Sequence, residues 1–375
     1  MLGRKIKICL AIPSLQAGGM ERVMSEIAWN YSRREEVELH LVMFGRDREI
    51  FYPIPQNMQI HKPSFVYTPK HRTLFTLRTI LYIRKELMRI KPDTVLSLGN
   101  YWNSLVLLST LGTHIPVFVS DRSKPDKDMG KLQNWLRIKL YPKAAGVIAQ
   151  TQKAREVYQR MYGHKNMTII GNPIRDVKSD SLVKREKMIL SIGRLINTKH
   201  YDRLINIFAA IDNPEWKLCI VGGDALKLNN SEKYRKQIEK MHLQGRVILT
   251  GMQKNVDDYF NKASIFAFPS SSEGFPNVIG EAMAAGLPVV SYDCVAGPSD
   301  MIEDGKNGYL VPVFDDELMK ERLRELMQDE HKRIAMGDNA KESICRFDKD
   351  VICQHFYEFI TKGVKQCNYS AITPL

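Results

Sequence analysis

Two glutamates stand close together in one of the most apolar stretches of the chain, residues 270–291 ("SSSEGFPNVIGEAMAAGLPVVS"). Glu273 precedes a Gly-Phe-Pro bend, and Glu281 follows after seven residues, inside a predicted helix that begins at Pro276 and ends at Gly286. Eight helical residues span about 12 Å, which is close to the separation of the sugar and the ribose in a nucleotide sugar. Carboxylates accept hydrogen bonds from the paired hydroxyls of such rings, and the helix N-terminus between them favours a diphosphate. The spacing therefore predicts a nucleotide-sugar site.

Two cations follow a predicted strand in "LSIGRLINTKH", where Arg194 comes just past the strand and Lys199 five residues later. Arg offers a bidentate fork and Lys a point charge, so the pair suits a diphosphate at the end of a parallel strand. Surface ion pairs are the alternative for this stretch taken alone. A simple favourable contact with the helix dipole is likewise an alternative for Glu273. The corresponding alternative for Glu281 is simple solvent exposure, which its nearly all-apolar neighbours disfavour.

A glycine pair, Gly18-Gly19, follows the first predicted strand and opens a helix. Its backbone N–H groups offer a second phosphate cradle. The signal is weak by itself, because glycines at such turns are often structural and because the G-x-G-x-x-G spacing of a dinucleotide site is missing.

The elements that position these residues are short Val- and Ile-rich runs that alternate with segments of helical spacing. Buried strands alternating with helices predict parallel sheets, and two such series predict two doubly wound α/β domains. Ligands of these folds lie beyond the carboxyl ends of the strands. We predict a first domain over residues 1–170, a second over 175–345, and a final helix over 346–366.

The net charge of +13 is concentrated in the first half of the chain. Residues 1–170 contain 27 Lys and Arg against 13 Asp and Glu, with basic clusters over 62–91 and 122–143. The clusters indicate either solvated helix faces or a surface that meets phosphate groups of anionic lipid or nucleic acid. Six scattered cysteines without a Cys-x-x-Cys pair favour free thiols in a reducing cytoplasm. No apolar run is long enough to predict a membrane-spanning helix.

Taken together, the motifs resemble family 4 of the retaining glycosyltransferases, which have the GT-B architecture of two facing Rossmann-like domains with a central cleft. The resemblance covers nearly the whole chain. The motifs that carry it are the Gly-Gly turn, "NPI" at the domain seam, "GRL" followed by Lys199, "GGD" at 222–224, the two-glutamate stretch, and "IEDGKNGYLVP".

The resemblance implies a role for each motif. Glu281 would hold the ribose hydroxyls and Glu273 those of the donor sugar, while Arg194 and Lys199 would neutralise the diphosphate without a metal ion. The final helix would cross back to the first domain. The remaining residues that the resemblance places at the donor are Gly18, Gly19, Gly193, Gly251, Met252, Gly274, Phe275, Asn277 and Val278, with Gly251 and Met252 at the nucleobase.

One position departs from the family pattern. Many relatives carry a histidine after the fourth strand of the first domain, whereas "VFVSDRSKPD" has Asp121 and Arg122 there. This resembles a Ser-Glu-Arg-Asn subgroup common among enzymes of bacterial capsule and O-antigen synthesis. Asp121 is then expected to orient or deprotonate the acceptor hydroxyl, and Arg122 to contact phosphate or the donor sugar.

The resulting expectation is a retaining hexosyl- or N-acetylhexosaminyltransferase that uses a nucleotide sugar, a UDP-sugar by preference. The acceptor would be a growing, lipid-linked cell-envelope glycan. Its location would be the cytoplasm, peripheral on the anionic inner face of the cytoplasmic membrane, with no nucleic-acid partner. The alternatives are a sugar-nucleotide epimerase or hydrolase on the same fold and a non-catalytic basic binding protein.

Overall fold

The computed structural model describes residues 4–16, 18–46, 50–178, 182–211, 213–225 and 228–370, without the side chains of Pro69 and 365–370. The chain divides into two compact units. The first ends at Pro173 and resumes at Lys349, and the second runs from Ile174 to Asp348.

The first unit is a seven-stranded sheet of order β3-β2-β1-β4-β5-β6-β7, in which every paired strand is parallel. The strands are β1 (Ile6–Ile12), β2 (Val37–Met43), β3 (Gln59–His61), β4 (Thr94–Leu98), β5 (Val117–Ser120), β6 (Gly146–Ala149) and β7 (Met167–Ile169). The helices between them are α1 (Gly19–Ser32), α2 (Arg72–Ile90), α3 (Asn100–Ser109), α4 (Lys131–Leu140) and α5 (Gln152–Tyr162).

The second unit is a six-stranded parallel sheet of order β10-β9-β8-β11-β12-β13. Its strands are β8 (Met188–Ile192), β9 (Lys217–Val221), β10 (Val247–Gly251), β11 (Ile265–Phe268), β12 (Val289–Tyr292) and β13 (Gly308–Val311). Its helices are α6 (Tyr201–Ala209), α7 (Asn230–Lys240), α8 (Asp257–Lys262), α9 (Asn277–Ala284), α10 (Pro298–Met301), α11 (Asp316–Gln328) and α12 (Glu330–Ile344).

Helices cover both faces of the second sheet. Neighbouring residues of one strand therefore pack into different hydrophobic clusters. Ile189 packs in one hydrophobic cluster and the next residue, Leu190, in another. A strand with both faces buried needs apolar side chains at successive positions, which explains the continuous Val- and Ile-rich runs. The predicted α/β class with two Rossmann-like parallel sheets is confirmed.

The last helix, α13 (Lys349–Ser370), belongs to the first unit. The ring of Tyr357 meets that of Tyr31 at 5.6 Å, and the ring of Phe359 meets that of Phe118 at 5.3 Å. The inner face of α13 is therefore buried against α1 and β5.

Two further observations concern the chemistry of the chain. Cys9, Cys219, Cys294, Cys345 and Cys353 are free thiols, and the side chain of Cys367 lies outside the described part of the structure. Within the described residues, no helix combines the length and hydropathy needed to span a bilayer.

Candidate donor and acceptor sites

The strand order of the second sheet reverses between β8 and β11. These two strands are neighbours in the sheet but distant in sequence. In doubly wound sheets, ligands bind beyond the carboxyl ends of the strands at such a point. The two loops that leave these strands are joined, since the Ser271 amide donates to the Thr198 carbonyl (2.9 Å) and the Ser270 hydroxyl oxygen lies 3.2 Å from the same carbonyl oxygen. The loop containing the predicted cations thus touches the loop that precedes α9.

Lys199 and Glu273 form an ion pair across these joined loops. The Lys199 Nζ lies 2.7 Å from Glu273 Oε1, and that oxygen also accepts a hydrogen bond from the Ser270 hydroxyl at 2.6 Å. Both side chains are largely withdrawn from solvent, with exposed fractions of 14% and 17%, and the ammonium lies 4.4 Å from the centroid of the Phe268 ring. The two groups are held in fixed positions, so a phosphate at the lysine would place its sugar next to the carboxylate.

The residue after Lys199, His200, ties the lysine's loop to the loop of Glu273. His200 has a left-handed backbone (φ +46°), and its Nε2 lies 2.7 Å from the Ser271 hydroxyl. Burial lowers the pKa of the imidazole, so the ring is neutral near pH 7. His200 therefore holds the loop of Glu273 by hydrogen bonding, without adding a third charge to the site.

Arg194 differs from Lys199 in being exposed. Its guanidinium makes no ion pair or side-chain hydrogen bond with any residue that the structure describes. The backbone before it is fixed by a close crossing: a Cβ on Gly222 (φ +153°) would lie 1.9 Å from the Gly193 carbonyl oxygen, so only glycine fits there. A fixed backbone that carries an unpaired guanidinium suits a charge that arrives with a ligand.

The predicted nucleobase residues extend the same edge of the sheet. The Gly193 amide donates to Val221 and the Gly222 amide to Gly251, at 2.9 and 3.0 Å, so the ends of β8, β9 and β10 are linked in a row. Met252 follows, with 87% of its surface exposed. An exposed thioether beside a backbone edge can cover the face of a planar ring.

Helix α9 follows the Glu273 loop. It starts at Asn277 and Val278, with Pro276 as its N-cap residue and no side-chain cap, and Gly274 and Phe275 lie in the loop before it. Phe275 is buried and packs on Phe347 with ring centroids 5.6 Å apart. The first turn of α9 is thereby anchored at the edge where Lys199 and Glu273 meet.

Glu281 is 8% exposed and pairs with Arg175, which in turn pairs with Asp257; the sequence revealed neither partner. The Arg175 Nε lies 3.4 Å from Glu281 Oε1, and the Arg175 Nη1 lies 2.6 Å from Asp257 Oδ1. The backbone amide of Lys178 donates to the other Asp257 oxygen at 3.1 Å. Arg175 thus fixes the direction of the Glu281 carboxylate through this ion pair. The only sequence signal was the position of Arg175 directly after the "NPI" motif.

The glycine pair lies in the first unit. Gly18 is the N-cap of α1, and a Cβ there would lie 2.3 Å from Glu21 Oε2. An acidic side chain of the same helix therefore covers this N-terminus and would repel a phosphate there. The donor role of Gly18 and Gly19 stays a prediction, and the geometry makes it a weaker one.

The structure corrects the expected role of Asp121 at the acceptor hydroxyl. Asp121 is 1% exposed, and its carboxylate is bonded to Arg137 Nη2 (2.7 Å), to the hydroxyl of Tyr141 and to the amide of Asn103 (3.1 Å). A carboxylate enclosed by three donors does not reach an acceptor hydroxyl. The expected direct role of Asp121 is wrong, and its place in the structure is to hold the carboxyl end of β5 against α3 and α4.

Arg122, the next residue, is more open to a ligand role. Its Nη1 donates to Asn172 at 2.5 Å, whereas its Nε and Nη2 are buried without a partner among the described residues. Burial lowers its pKa to about 9, so the group is still charged at neutral pH. Unsatisfied buried donors of this kind favour an anion, and the predicted phosphate contact stays a prediction.

Two family profiles match the chain. The profile described as "Glycosyl transferases group 1" matches residues 174–343, and that described as "Glycosyltransferase Family 4" matches residues 17–177. A similar relative is the "Amylovoran biosynthesis glycosyltransferase AmsD" of Erwinia amylovora, 25% identical over 354 residues (92% of this chain and 96% of the relative).

Another relative is the "N-acetylgalactosamine-N,N'-diacetylbacillosaminyl-diphospho-undecaprenol 4-alpha-N-acetylgalactosaminyltransferase" of Campylobacter jejuni, 28% identical over 374 residues (94% and 99%). Among solved structures, the lipopolysaccharide outer core galactosyltransferase WaaB superposes with a TM-score of 0.78 at 21% identity (96% and 100%). Anabaena Alr3699/HepE in complex with UDP superposes with a TM-score of 0.78 at 18% identity (95% and 100%). At these identities the structural similarity shows the fold alone.

Proposed function

The chain belongs to the group 1 glycosyltransferases of the GT-B fold, and on that premise we propose that it transfers a hexose or N-acetylhexosamine from a UDP-sugar, with retention of configuration, to a lipid-linked cell-envelope glycan. One relative is named for amylovoran biosynthesis, and the name of another specifies a diphospho-undecaprenol-linked acceptor. The observation that carries the proposal is the Lys199–Glu273 pair. It places a cation suited to binding phosphate 2.7 Å from a carboxylate suited to binding sugar hydroxyls.

The donor would lie along the carboxyl edge of the second sheet. Arg194 and Lys199 would bind the diphosphate, Glu273 the sugar hydroxyls and Glu281 the ribose hydroxyls. UDP is favoured as the carrier because a solved structure of the same fold is a complex with UDP. As the glycosyl bond breaks, negative charge grows on the diphosphate, and the fixed cations stabilise it.

Retention fits the proposed position of Glu273. The carboxylate is already held by Lys199 and Ser270, which makes it a group for positioning the sugar and a poor nucleophile. Attack from the face that the leaving diphosphate vacates would let a phosphate oxygen accept the proton of the acceptor hydroxyl. The anomeric configuration of the product, read by NMR, tests this part of the proposal.

A panel of UDP- and GDP-sugars tests the proposal as a whole. The cognate donor should raise the midpoint of thermal unfolding, since a ligand that binds only the native state stabilises it. Slow hydrolysis of that donor should follow in the absence of acceptor. Hydrolysis as fast as transfer would instead favour the hydrolase alternative, and a shift with RNA but none with UDP would contradict the proposal.

We predict that activity survives EDTA. The cations that would face the diphosphate are the side chains of Arg194 and Lys199, which a chelator does not remove. The initial rate of donor hydrolysis is measured before and after treatment with excess EDTA. Loss of activity that Mg²⁺ restores would contradict a metal-independent mechanism.

Two helices of the first unit support the proposed place at an anionic membrane. Helix α2 buries one face and exposes apolar and basic side chains on the other, and α3 contacts both α2 and α4. Exposed rings and aliphatic chains flanked by cations are typical of helices that lie in a membrane interface. The exposed residues are Leu74, Leu77, Arg78, Leu81, Lys85 and Met88 on α2 and Lys131, Leu132, Trp135, Ile138 and Lys139 on α4.

Other cations of the predicted basic region are used within the unit. Arg84 donates to the carbonyl oxygens of Ser109 (3.1 Å) and Leu111 (2.8 Å), and Arg89 pairs with Glu86 at 2.6 Å. These two arginines are therefore unsuitable for testing membrane binding.

We predict that the triple variant Arg78→Gln, Lys85→Gln, Trp135→Ala binds anionic liposomes at low salt more than about tenfold more weakly than the parent. Each cation near the surface contributes about 1 kcal/mol, and the indole adds apolar burial. Co-sedimentation measures the effect. The control variant Lys153→Gln, Arg160→Gln removes the same charge from α5 and should bind normally. Equal loss in both variants would show a general charge effect and not a membrane face.

A further inference from the structure

Two residues with a left-handed backbone pack against each other beside the candidate donor site. In the described part of the chain, four non-glycine residues have φ in this region: Lys91, His200, His242 and Phe314. His200 (φ +46°) and Phe314 (φ +71°) place their rings edge to face, with centroids 4.9 Å apart. A side chain with a Cβ atom is disfavoured in this conformation, and glycine would adopt it without that cost. The contacts of the two rings are therefore the features to explain.

Phe314 lies in the loop between β13 and α11, and Arg203 of α6 holds it there. The Arg203 Nη2 donates to the Phe314 carbonyl oxygen at 3.2 Å, and the guanidinium carbon lies 4.7 Å from the centroid of the Phe314 ring. Arg203 also forms an ion pair with Asp316 at 2.9 Å. A strained backbone persists where the surrounding structure fixes it in several ways. The Phe314 ring is thus a firm support for the imidazole of His200.

The imidazole of His200 contacts the loop of Glu273 as well. Its Nε2 lies 2.7 Å from the Ser271 hydroxyl, and the neighbouring Ser270 hydroxyl donates to Glu273 Oε1 at 2.6 Å. His200 itself directly follows Lys199. One side chain therefore connects the loops that follow β8, β11 and β13, at the edge of the sheet where the cation and the carboxylate meet.

His242 shows the same residue type and backbone conformation without such contacts. It has φ +54°, follows α7 in the same unit and is exposed. Its side chain forms no hydrogen bond or ion pair with a residue that the structure describes. A left-handed histidine is therefore tolerated in this unit without a link between loops, and the link made by His200 is a separate feature.

We propose that His200 is a positioning residue of the transfer reaction: its imidazole, supported by Phe314, fixes Ser271 and thereby the place of Glu273 beside Lys199. The proposal rests on the proposed function, in which Glu273 contacts the donor sugar. His200 touches neither the sugar nor the diphosphate in this scheme, and it takes up no proton. The side chain at this strained position then serves the rate of the reaction and not the affinity for the nucleotide.

The variant His200→Gly tests the proposal, because glycine keeps the left-handed backbone and removes only the imidazole. We expect kcat to fall about tenfold for hydrolysis of the UDP-sugar that the donor panel identifies, since small displacements of a positioning group lower the rate strongly. Calorimetric affinity for UDP should stay unchanged, because Lys199 and Glu281 remain in place. A general loosening of the unit would weaken UDP binding together with the rate.

Three further variants separate the imidazole from the backbone. His242→Gly makes the same substitution in the same conformation and should leave kcat unchanged. His200→Gln keeps a side-chain nitrogen at a similar reach and should restore most of the rate. Ser271→Ala removes the same contact without a change at residue 200, so it should lower kcat as His200→Gly does. The double variant His200→Gly, Ser271→Ala should lose no more than either single variant, since both remove one interaction.

Hydrogen exchange of the Ser271 amide tests the anchoring without any substrate. This amide donates to the Thr198 carbonyl oxygen, and it should exchange faster in His200→Gly and in Ser271→Ala than in the parent or in His242→Gly. Unchanged exchange in His200→Gly, or a loss of UDP affinity equal to the loss of rate, would overturn the proposal. If the parent turns over no UDP-sugar while exchange responds as expected, the proposed transfer fails and the anchoring of the Glu273 loop by His200 stands. If the parent is active and His200→Gly has the same kcat, only the positioning role fails.

Discussion

Replacing Lys199 by alanine is expected to lower the maximal rate of sugar transfer by about 10²–10³-fold, the usual effect of removing one preorganised group that stabilises a developing charge. The ammonium would lie against the diphosphate, where negative charge increases as the glycosyl bond breaks. UDP affinity should fall much less, because the ground state gains less from the cation than the transition state does.

The measurement is kcat for donor hydrolysis alongside calorimetric affinity for UDP. Lys233→Ala is the matched control, since that lysine forms an ion pair with Asp202 on the exposed surface of the same unit. Lys199→Ala also leaves Glu273 without its partner, so the double variant Lys199→Ala, Glu273→Gln shows how much of the loss comes from an unpaired carboxylate. Equal loss of UDP affinity with an unchanged maximal rate would contradict the assignment.

Replacing Glu281 by alanine is expected to weaken UDP binding by about 10- to 100-fold, since a hydrogen bond to a charged acceptor contributes about 1.5–3 kcal/mol. The structure adds a reason for the upper part of this range. Arg175 lies 3.4 Å from the carboxylate and also pairs with Asp257, so the variant leaves this arginine with one acidic partner fewer beside the ribose position.

Calorimetry with UDP and with inorganic diphosphate separates the contribution of the ribose from that of the diphosphate. The variant should lose affinity for UDP and keep its affinity for inorganic diphosphate, because Glu281 and its partner Arg175 are proposed to lie beside the ribose and not the diphosphate. Glu303→Ala, which removes an exposed carboxylate paired with Lys306, serves as the control. Unchanged UDP affinity in Glu281→Ala would refute the ribose contact.

The sequence was sufficient for the fold class and for the grouping of Lys199 with Glu273. Each residue follows a buried strand, and in a doubly wound sheet the carboxyl ends of neighbouring strands share one edge. A separation of 74 residues along the chain therefore did not hide the contact. The strongly apolar surroundings of Glu281 were likewise enough to predict its burial.

The contacts that the sequence did not predict depend on side-chain directions. Arg175 reaches Glu281 only because its segment runs beside α9, where a Cβ on Gly280 would lie 2.5 Å from Ile174. Asp121 ends a strand just as a catalytic carboxylate could, but Arg137 and Tyr141 enclose it. The periodicity of the sequence does not predict whether a carboxylate at the end of a strand is open to a ligand or enclosed by other side chains.

The return of α13 to the first unit has a consequence for synthesis on the ribosome. The second unit is an insertion: all of its residues emerge before Lys349, whereas Phe356 and Tyr357, both fully buried in the first unit, emerge after it. The amino-terminal sheet must therefore wait, with the surface around Tyr31 and Phe118 uncovered, while a complete second unit is made and folds. Ribosome-bound chains that are stopped when the second unit has emerged and Lys349 has not should be cleaved readily by protease in the first unit and resist it in the second.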